Sequence, residues 1–294
     1  MTGKIIKGIS GFYYIHTPEG VIYASRAVGI FRKLGIKPLV GDNVEFEVTD
    51  ETDLEGSLTR IRERKNVLIR PAVANLDQAM VVFAIREPDL NLNLLDRFLI
   101  YMEQQDLPVT IFFNKSDLDR DGLMDYCRRV YEAAGYRVIC GSTGNEEDID
   151  RIREALKGKT TVLAGPSGAG KSSLTNKLND GVCMEVGELS AKIRRGKQTT
   201  RHTELFTIDA DSYVLDTPGF TSLFVNGIEA RDLEYYFPEF RPYIGKCKFT
   251  VCSHIYEAEE LCAVRRAVSA GDIDSGRYEN YCQIYGELKD KAYR

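Results

Sequence analysis

The sequence predicts a multidomain α/β protein in three successive parts: a small β-barrel over residues 1–70, a doubly wound α/β domain over 71–230, and a short helical unit over 231–294. Three observations carry this. The first part holds short runs rich in Ile, Val, Tyr and Phe ("KIIKGISGFYYIHT", "GVIYASRAVG", "DNVEFEVTD"), cut by Gly, Pro and Asp turn signals. A barrel is the natural closure for such strands. In the second part, continuous apolar runs ("QAMVVFAI", "LPVTIFF", "YRVICGS", "KTTVLAG", "SYVLDTPG") alternate with helical patterns such as "NLLDRFLIYMEQQ" and "DGLMDYCRRVYEAAG". Strands buried on both faces of a parallel sheet read this way. Beyond Ala230 no strand pattern remains; Cys, His, Tyr and charges lead into the helical "GRYENYCQIYGELKDKAYR".

Bulk properties fit this division. A chain of 294 residues exceeds a single core of ~100–200 residues and suits two or three domains. With 43% hydrophobic and 28% charged residues it reads as a globular protein. No apolar run approaches the ~18–20 residues needed to cross a bilayer, and the N-terminus has no secretion-signal pattern, so a cytoplasmic location and no membrane partner are expected. The formal net charge of −5 argues against a wholly basic nucleic-acid binder and leaves room for local basic patches. In a reducing compartment the seven cysteines are expected as thiols or metal ligands; Cys127, Cys140 and Cys183 are scattered and read as packing residues.

"TVLAGPSGAGKSSLTNKL" satisfies GxxxxGKS from Gly165 to Ser172, after a strand and before a helix. The glycines let backbone N–H groups of this loop converge on phosphate oxygens and the following helix adds the positive end of its dipole, so Gly165, Pro166, Ser167, Gly168, Ala169, Gly170 and Ser173 are expected around the nucleotide. Lys171 neutralises the β and γ phosphates, and the Ser172 hydroxyl is the expected Mg²⁺ ligand. In "VLDTPGF", Asp216 ends an apolar strand where it can hold Mg²⁺ through water, and the Gly219 amide can reach the γ phosphate. Between them, "IRRGKQTTRHTELF" offers a threonine to sense the γ phosphate through Mg²⁺, Thr200 ahead of Thr199. Arg194, Arg195, Lys197 and Arg201 in this loop contact RNA or solvate it; the sequence favours neither.

"VTIFFNKSD" places Asn114, Lys115 and Asp117 just after a buried strand. Two carboxylate oxygens on Asp117 match guanine N1–H and its exocyclic amine, a pair that adenine lacks. Lys115 can lay its stem along the base, Asn114 can tie loops together, and the backbone around Ser142 in "ICGSTG" can meet the guanine carbonyl. GTPases usually present the base reader after the phosphate loop; here it comes about fifty residues before. Closing a domain's ends and cutting elsewhere preserves the site, so the order predicts a circularly permuted P-loop GTPase binding GTP and GDP.

With these motifs in place, the chain resembles the ribosome small subunit-dependent GTPase RsgA family (YjeQ/YloQ) over nearly its whole length. "GKIIKGISGFYYI", "FRKLGIKPLVGDNVEF", "ANLDQAMVVFA", "LLDRFL", the permuted motifs and a Cys/His cluster before "RYENY" carry the likeness. The resemblance implies an N-terminal OB-fold barrel, a permuted GTPase and a C-terminal zinc-binding domain. It implies a monomer acting on the small (30S) ribosomal subunit and its rRNA in late maturation, with ribosome-stimulated hydrolysis and release. Phe12, Tyr13, Tyr14, Arg26, Arg32 and Lys33 of the barrel can present rings and cations to rRNA, though about half can instead be core.

"CKFTVCSHIYEAEELC" sets Cys247, Cys252, His254 and Cys262 within sixteen residues, three thiolates and an imidazole suited to one closed tetrahedral Zn²⁺ site. Such a metal folds a unit too small for much core. The family usually has five residues between the histidine and the last cysteine; seven stand here, which leaves Cys282 as a substitute ligand. Phe220 follows DxxG where classical GTPases often carry a water-orienting Gln, so that group must come from elsewhere. The family places a histidine directly before the two threonines; Gln198 stands there, with His202 as the competitor, and Gln198 is preferred because glutamine positions water without changing charge. Gln198, Thr200 and Lys171 are thus the catalytic candidates. His16 reads as surface or structural, and Tyr278, Tyr281 and Tyr285 as a helical core face. Two other readings compete: a P-loop ATPase or small-molecule kinase, disfavoured by Asn114 and Asp117, and a noncatalytic RNA-binding scaffold, disfavoured by Lys171, Ser172 and Asp216.

Overall fold

The computed structural model of the chain describes residues 1–69, 71–180, 203–216 and 227–292. Its contacts group into two compact units: Met1–Met80 with Ser142–Ala164 and Gly170–Phe220, and Val81–Gly141 with Gly165–Ala169 and Thr221–Arg294.

In the first unit, β1 (Thr2–Ile9), β2 (Phe12–His16), β3 (Ile22–Ala27), β4 (Asn43–Asp50) and β5 (Glu55–Ile61) close into a barrel of order β1-β2-β3-β5-β4, with α1 (Gly29–Lys33) between β3 and β4. Only β3 and β5 pair in parallel, which makes the barrel OB-like. Ile5, Ile15, Val44, Phe46 and Leu58 fill it from alternate positions, and Phe31 of α1 plugs one side. Of the runs quoted from the sequence, β5 was not among them: its residues are Glu, Gly, Ser, Leu, Thr, Arg and Ile, and Leu58 is the one large side chain it buries completely. Short strands β6 (Val67–Leu68) and β7 (Val73–Ala74) pair after the barrel. Gly41 sits at φ +90 where a Cβ would lie 2.0 Å from the Ala74 carbonyl oxygen, so the chain crossing there requires glycine.

Strand β8 (Gln78–Ala84) passes through both units. The first unit continues the sheet as β8-β11-β13-β12, with β11 (Thr160–Ala164) and β13 (Tyr213–Asp216) parallel and β12 (Leu205–Thr207) antiparallel at the edge. Helices α4 (Glu146–Leu156) and α5 (Lys171–Asp180) belong here. His16 proves structural: it is 5% exposed and its Nδ1 lies 2.9 Å from the Tyr213 hydroxyl. Burial lowers the His16 pKa and pushes Tyr213 up to about 12, so the neutral pair is favoured. Lys7 of β1 meets Glu204 at 2.8 Å beside a β-bridge between the same residues.

The second unit holds the order β10-β9-β8, formed by β9 (Val109–Asn114) and β10 (Arg137–Cys140), with α2 (Leu92–Gln104) and α3 (Leu123–Ala133). It ends in 3-10 turns and two helices, α6 (Ala263–Ala270) and α7 (Ser275–Ala292), around a core of Leu233, Phe237, Phe240, Tyr281 and Ile284. Tyr278, Tyr281 and Tyr285 form the expected face: Tyr281 is buried, stacked on Tyr278 at 6.4 Å and tilted to Tyr285 at 6.1 Å. Cys127 and Cys140 are buried packing residues as expected, while Cys183 lies outside the described residues. One buried charge cluster joins distant parts of this unit. Arg277 of α7 binds Asp96 of α2 at 2.5 Å and Glu239 at 2.7 and 2.9 Å, and Asp96 also accepts from Tyr131 of α3 at 2.8 Å and Asn280 at 2.7 Å. Every oxygen and guanidinium edge named has a partner, the condition under which a buried ion pair is tolerated.

Candidate functional site

Strand β9 is almost wholly buried and pairs in parallel with β10, Phe113 opposite Cys140, so both strands end at one edge. Asn114 is fully buried there. Its Nδ2 donates to the Ala169 carbonyl at 2.9 Å, and its Oδ1 accepts from the Lys115 amide at 2.8 Å. Lys115 takes the left-handed conformation (φ 63), uncommon for a residue with a Cβ, and its Nζ donates to the Glu87 carbonyl. A 3-10 turn over Ser116–Leu118 then brings Asp117 to the surface, exposed. Asp119, two residues on, does different work: it caps α3 by accepting from the Leu123 and Met124 amides at 3.1 Å each.

The loop after β10 is anchored on this turn. Gly141 donates to Phe113 at 3.0 Å and accepts from the Ser116 amide at 3.1 Å. Ser142 donates its amide to Asp148 Oδ2 at 2.7 Å, so that amide is already engaged within the protein. Ser142 Oγ accepts from the Gly144 amide at 3.3 Å, and Asn145 caps α4 through the Glu147 amide at 2.9 Å.

The phosphate loop follows the fully buried β11. Gly165 has φ +138, and a Cβ on it would stand 2.1 Å from the Val82 carbonyl oxygen, so no other residue fits. Pro166 is half-buried, Ser167 and Gly168 are exposed, and Ala169 is buried beneath the Asn114 amide. Gly170 (φ +100) turns the chain into α5. Leu174 donates to the Gly170 carbonyl at 2.9 Å; an α-helix leaves the amides ahead of its first such bond for an outside acceptor, and its dipole favours an anion there. Lys171 is half-buried, and Ser172 and Ser173 are exposed at the start of α5. Asp216 is the last residue of β13, in register with Leu163 of β11. The structure thus joins Asn114 to the phosphate loop within one unit. Gln198, Thr199, Thr200, His202, Gly219, Phe220 and the cations Arg194, Arg195, Lys197 and Arg201 lie outside the described residues.

The second cluster is metal-shaped. One ligand atom from each of Cys247, Cys252, His254 and Cys262 lies within 4.8 Å of all the others. Cys247 Sγ is 3.9 Å from Cys262 Sγ and 3.6 Å from His254 Nδ1, and His254 Nδ1 is 3.4 Å from Cys262 Sγ. A tetrahedral Zn²⁺ with bonds of ~2.3 Å to sulfur and ~2.0 Å to nitrogen sets edges of about 3.7 Å between sulfurs and 3.5 Å from sulfur to nitrogen. The donor set fits that ion. His254, at φ 62, turns Nδ1 to the thiols and Nε2 to Glu234 Oε2 at 2.5 Å, so with Nδ1 as ligand the Nε2–H donates a hydrogen bond to the carboxylate, which fixes the ring. Cys282 is not part of this group of four; it packs with Tyr278 and Tyr285 against the same core.

The profile of the RsgA GTPase family matches residues 61–226, and that of the RsgA N-terminal domain matches residues 2–55. The chain belongs to the RsgA GTPase family. Its relatives include the small ribosomal subunit biogenesis GTPase RsgA of Agathobacter rectalis, 51% identical and covering 99% of each chain. The protein of the same name from Alkaliphilus metalliredigens is 45% identical over 98% of this chain and 97% of its own. Among solved structures, YloQ, described as a circularly permuted GTPase, matches with a TM-score of 0.80 at 38% identity, covering 99% of this chain and 95% of its own. YjeQ from Thermotoga maritima gives 0.80 at 34% identity, covering 98% of each. The permuted order read from Asn114 and Gly165 is therefore that of an RsgA GTPase, an enzyme that hydrolyses GTP.

Three groups around the RsgA motifs escaped the sequence reading. Glu234 stands 20 residues before His254 with no motif around it. Glu87 acts through its carbonyl, which no side-chain pattern reveals. Asp148 is one of three acids opening α4, so only its burial separates it from ordinary first-turn carboxylates.

Proposed function

We propose that this chain binds GTP with Asn114, Lys115, Asp117 and the Ser142 loop at the base and Gly165–Ser173 at the phosphates, and hydrolyses it on the small ribosomal subunit during late maturation. The single observation that carries this reading is the bond from Asn114 Nδ2 to the Ala169 carbonyl at 2.9 Å, because it fastens the base reader directly to the phosphate loop. Asp117 accepts from guanine N1–H and the 2-amine, and Lys115, fixed by the Glu87 carbonyl, lays its stem along the ring. Loop amides and the start of α5 receive the phosphates, and Lys171 neutralises their charge. Mg²⁺ carried with the nucleotide would supply positive charge that offsets the phosphates. Ser172, exposed at the start of α5, Asp216 at the end of β13, and Thr200 hold it. Gln198 orients the attacking water, and Gly219 donates to the γ phosphate.

The three-part division at residues 70 and 230 assigns the barrel to rRNA, with Arg26 lying over the Phe12 ring at 4.3 Å as one surface ring and cation. The Cys/His cluster holds one structural Zn²⁺ and closes its coordination, leaving no position for catalysis. GTP orders the switch and favours ribosome binding; hydrolysis releases the factor. The protein works as a cytoplasmic monomer; among the described residues no helix is long and apolar enough to cross a membrane. Two measurements test the reading. GDP should bind far more tightly than ADP, and single-turnover GTP hydrolysis should rise sharply when small subunits are added; equal GDP and ADP affinity rejects the base site, and an unchanged rate rejects the ribosomal coupling.

A further inference from the structure

The turn after β8 carries no nucleotide motif, yet it touches both the base turn and the phosphate loop. The Ile85 amide donates to the Asn114 carbonyl at 3.0 Å, and Arg86 pairs with Asp121, just beyond the base turn, at 2.8 Å. Glu87 has φ 53, and its carbonyl accepts from Lys115 Nζ. Pro88 rests on the phosphate loop: a Cβ built on Gly168 would lie 3.2 Å from Pro88 Cδ. Residues 85–88, 114–121 and 165–169 all belong to one compact unit. Glu87 and Pro88 are exposed, so core packing does not dictate the course of the turn; its working parts are a main-chain carbonyl and the face of a ring.

We propose that the Glu87–Pro88 turn is a positioning element of the nucleotide site: Pro88, seated on Gly168, places the Glu87 carbonyl, and that carbonyl holds the Lys115 ammonium so that the lysine stem lies fixed along the base. This rests on the reading of Asn114–Asp117 as the base site. An unheld lysine gives up its rotamer freedom when its stem packs on a ring. A lysine whose ammonium is already held has lost that freedom before the nucleotide arrives, which strengthens binding without any new contact. The base stands apart from the γ phosphate, so the gain is equal in bound GTP and in its transition state, and it shows in KM rather than in kcat. Base identity is set elsewhere: the stem packs on guanine and on hypoxanthine alike, whereas Asp117 needs the 2-amine.

The test measures GDP and inosine diphosphate affinity, with GTP turnover, on the full chain. Glu87→Val puts a β-branched residue at positive φ, which displaces the carbonyl. It is expected to weaken GDP about fivefold and to raise KM for GTP by a like factor with kcat near wild type, while the preference for GDP over inosine diphosphate persists. Glu87→Gly, which takes positive φ freely and keeps the carbonyl in place, should recover most of that loss. Lys115→Ala should weaken GDP about tenfold, and adding Glu87→Val to it should change nothing further, because the carbonyl then has no ammonium to hold. Additive losses in the double variant, an equal loss in Glu87→Gly, or wild-type GDP affinity in a folded Glu87→Val protein overturns the proposal. If wild type fails to prefer GDP over ADP, or Lys115→Ala binds GDP as wild type does, the base site itself falls and takes the role of the turn with it, a failure that additive losses do not mimic.

Discussion

The Cys247/Cys252/His254/Cys262 cluster and the Asn114–Asp117 turn lie in the same unit and are built in opposite senses. In the cluster the ligand atoms face one another at tetrahedron-edge distances, His254 and Cys262 are buried, and Glu234 already fixes the imidazole. In the turn only the supports are buried. Asn114 is fully enclosed and Lys115 is tied down, while Asp117, the group proposed to select the base, stands exposed. A resident ion is part of the fold and can be enclosed; a nucleotide that enters and leaves needs its selective atoms at the surface and their supports inside.

The largest expected effect breaks the closed side of this comparison. Cys252→Ser, or exhaustive chelation, should remove zinc and unfold the C-terminal part, because structural zinc supplies ~10–16 kcal/mol of apparent free energy in small zinc domains. Metal content by emission spectrometry and hydrogen exchange over residues 231–292 check this. Cys262→Ser should behave alike and Cys282→Ser should keep full zinc; the reverse would move the fourth ligand to Cys282. Next, Asp117→Ala should weaken GDP by about 10²- to 10³-fold, the loss of two charge-assisted bonds, with the melting temperature without nucleotide unchanged. A melting temperature that falls with affinity would mean that the exposed carboxylate also supports the fold. Gln198→Ala should lower ribosome-stimulated turnover about 10²-fold with little change in GTP affinity. An unchanged rate, with His202→Ala inactive, would reassign the water. Smallest, Glu234→Gln should weaken zinc about tenfold, read by competition with a chromogenic chelator, and leave GTP binding alone.

What the sequence disclosed follows from distance along the chain. GxxxxGKS and the Cys247/Cys252/His254/Cys262 cluster each fall within one short window, so their chemistry is visible as spacing. The order of Asn114 before Gly165 was equally plain, and it fixed the permuted topology. Strand β5 was harder because its one buried large side chain, Leu58, sits among polar residues. Hidden altogether were pairings between remote positions: Asp96 with Arg277, 181 residues apart, His16 with Tyr213, 197 apart, and the shared orientation of Glu234 and His254. The Ser142 amide shows another limit. A motif can point to a loop as a candidate base contact, but only coordinates show that its Ser142 amide is already spent on Asp148.

The Asp96–Arg277–Glu239 cluster also shapes how this protein can change over generations. Losing Arg277 alone strands two buried carboxylates, and losing one partner of a buried pair costs about 3–5 kcal/mol, a large share of the ~5–15 kcal/mol that keeps a domain folded. Replacing all of them, together with the Tyr131 and Asn280 donors to Asp96, by well-packed apolar side chains would cost little. Drift from one arrangement to the other must therefore cross a fitness valley, and homologues should divide into charged and apolar lineages with few mixed forms between them.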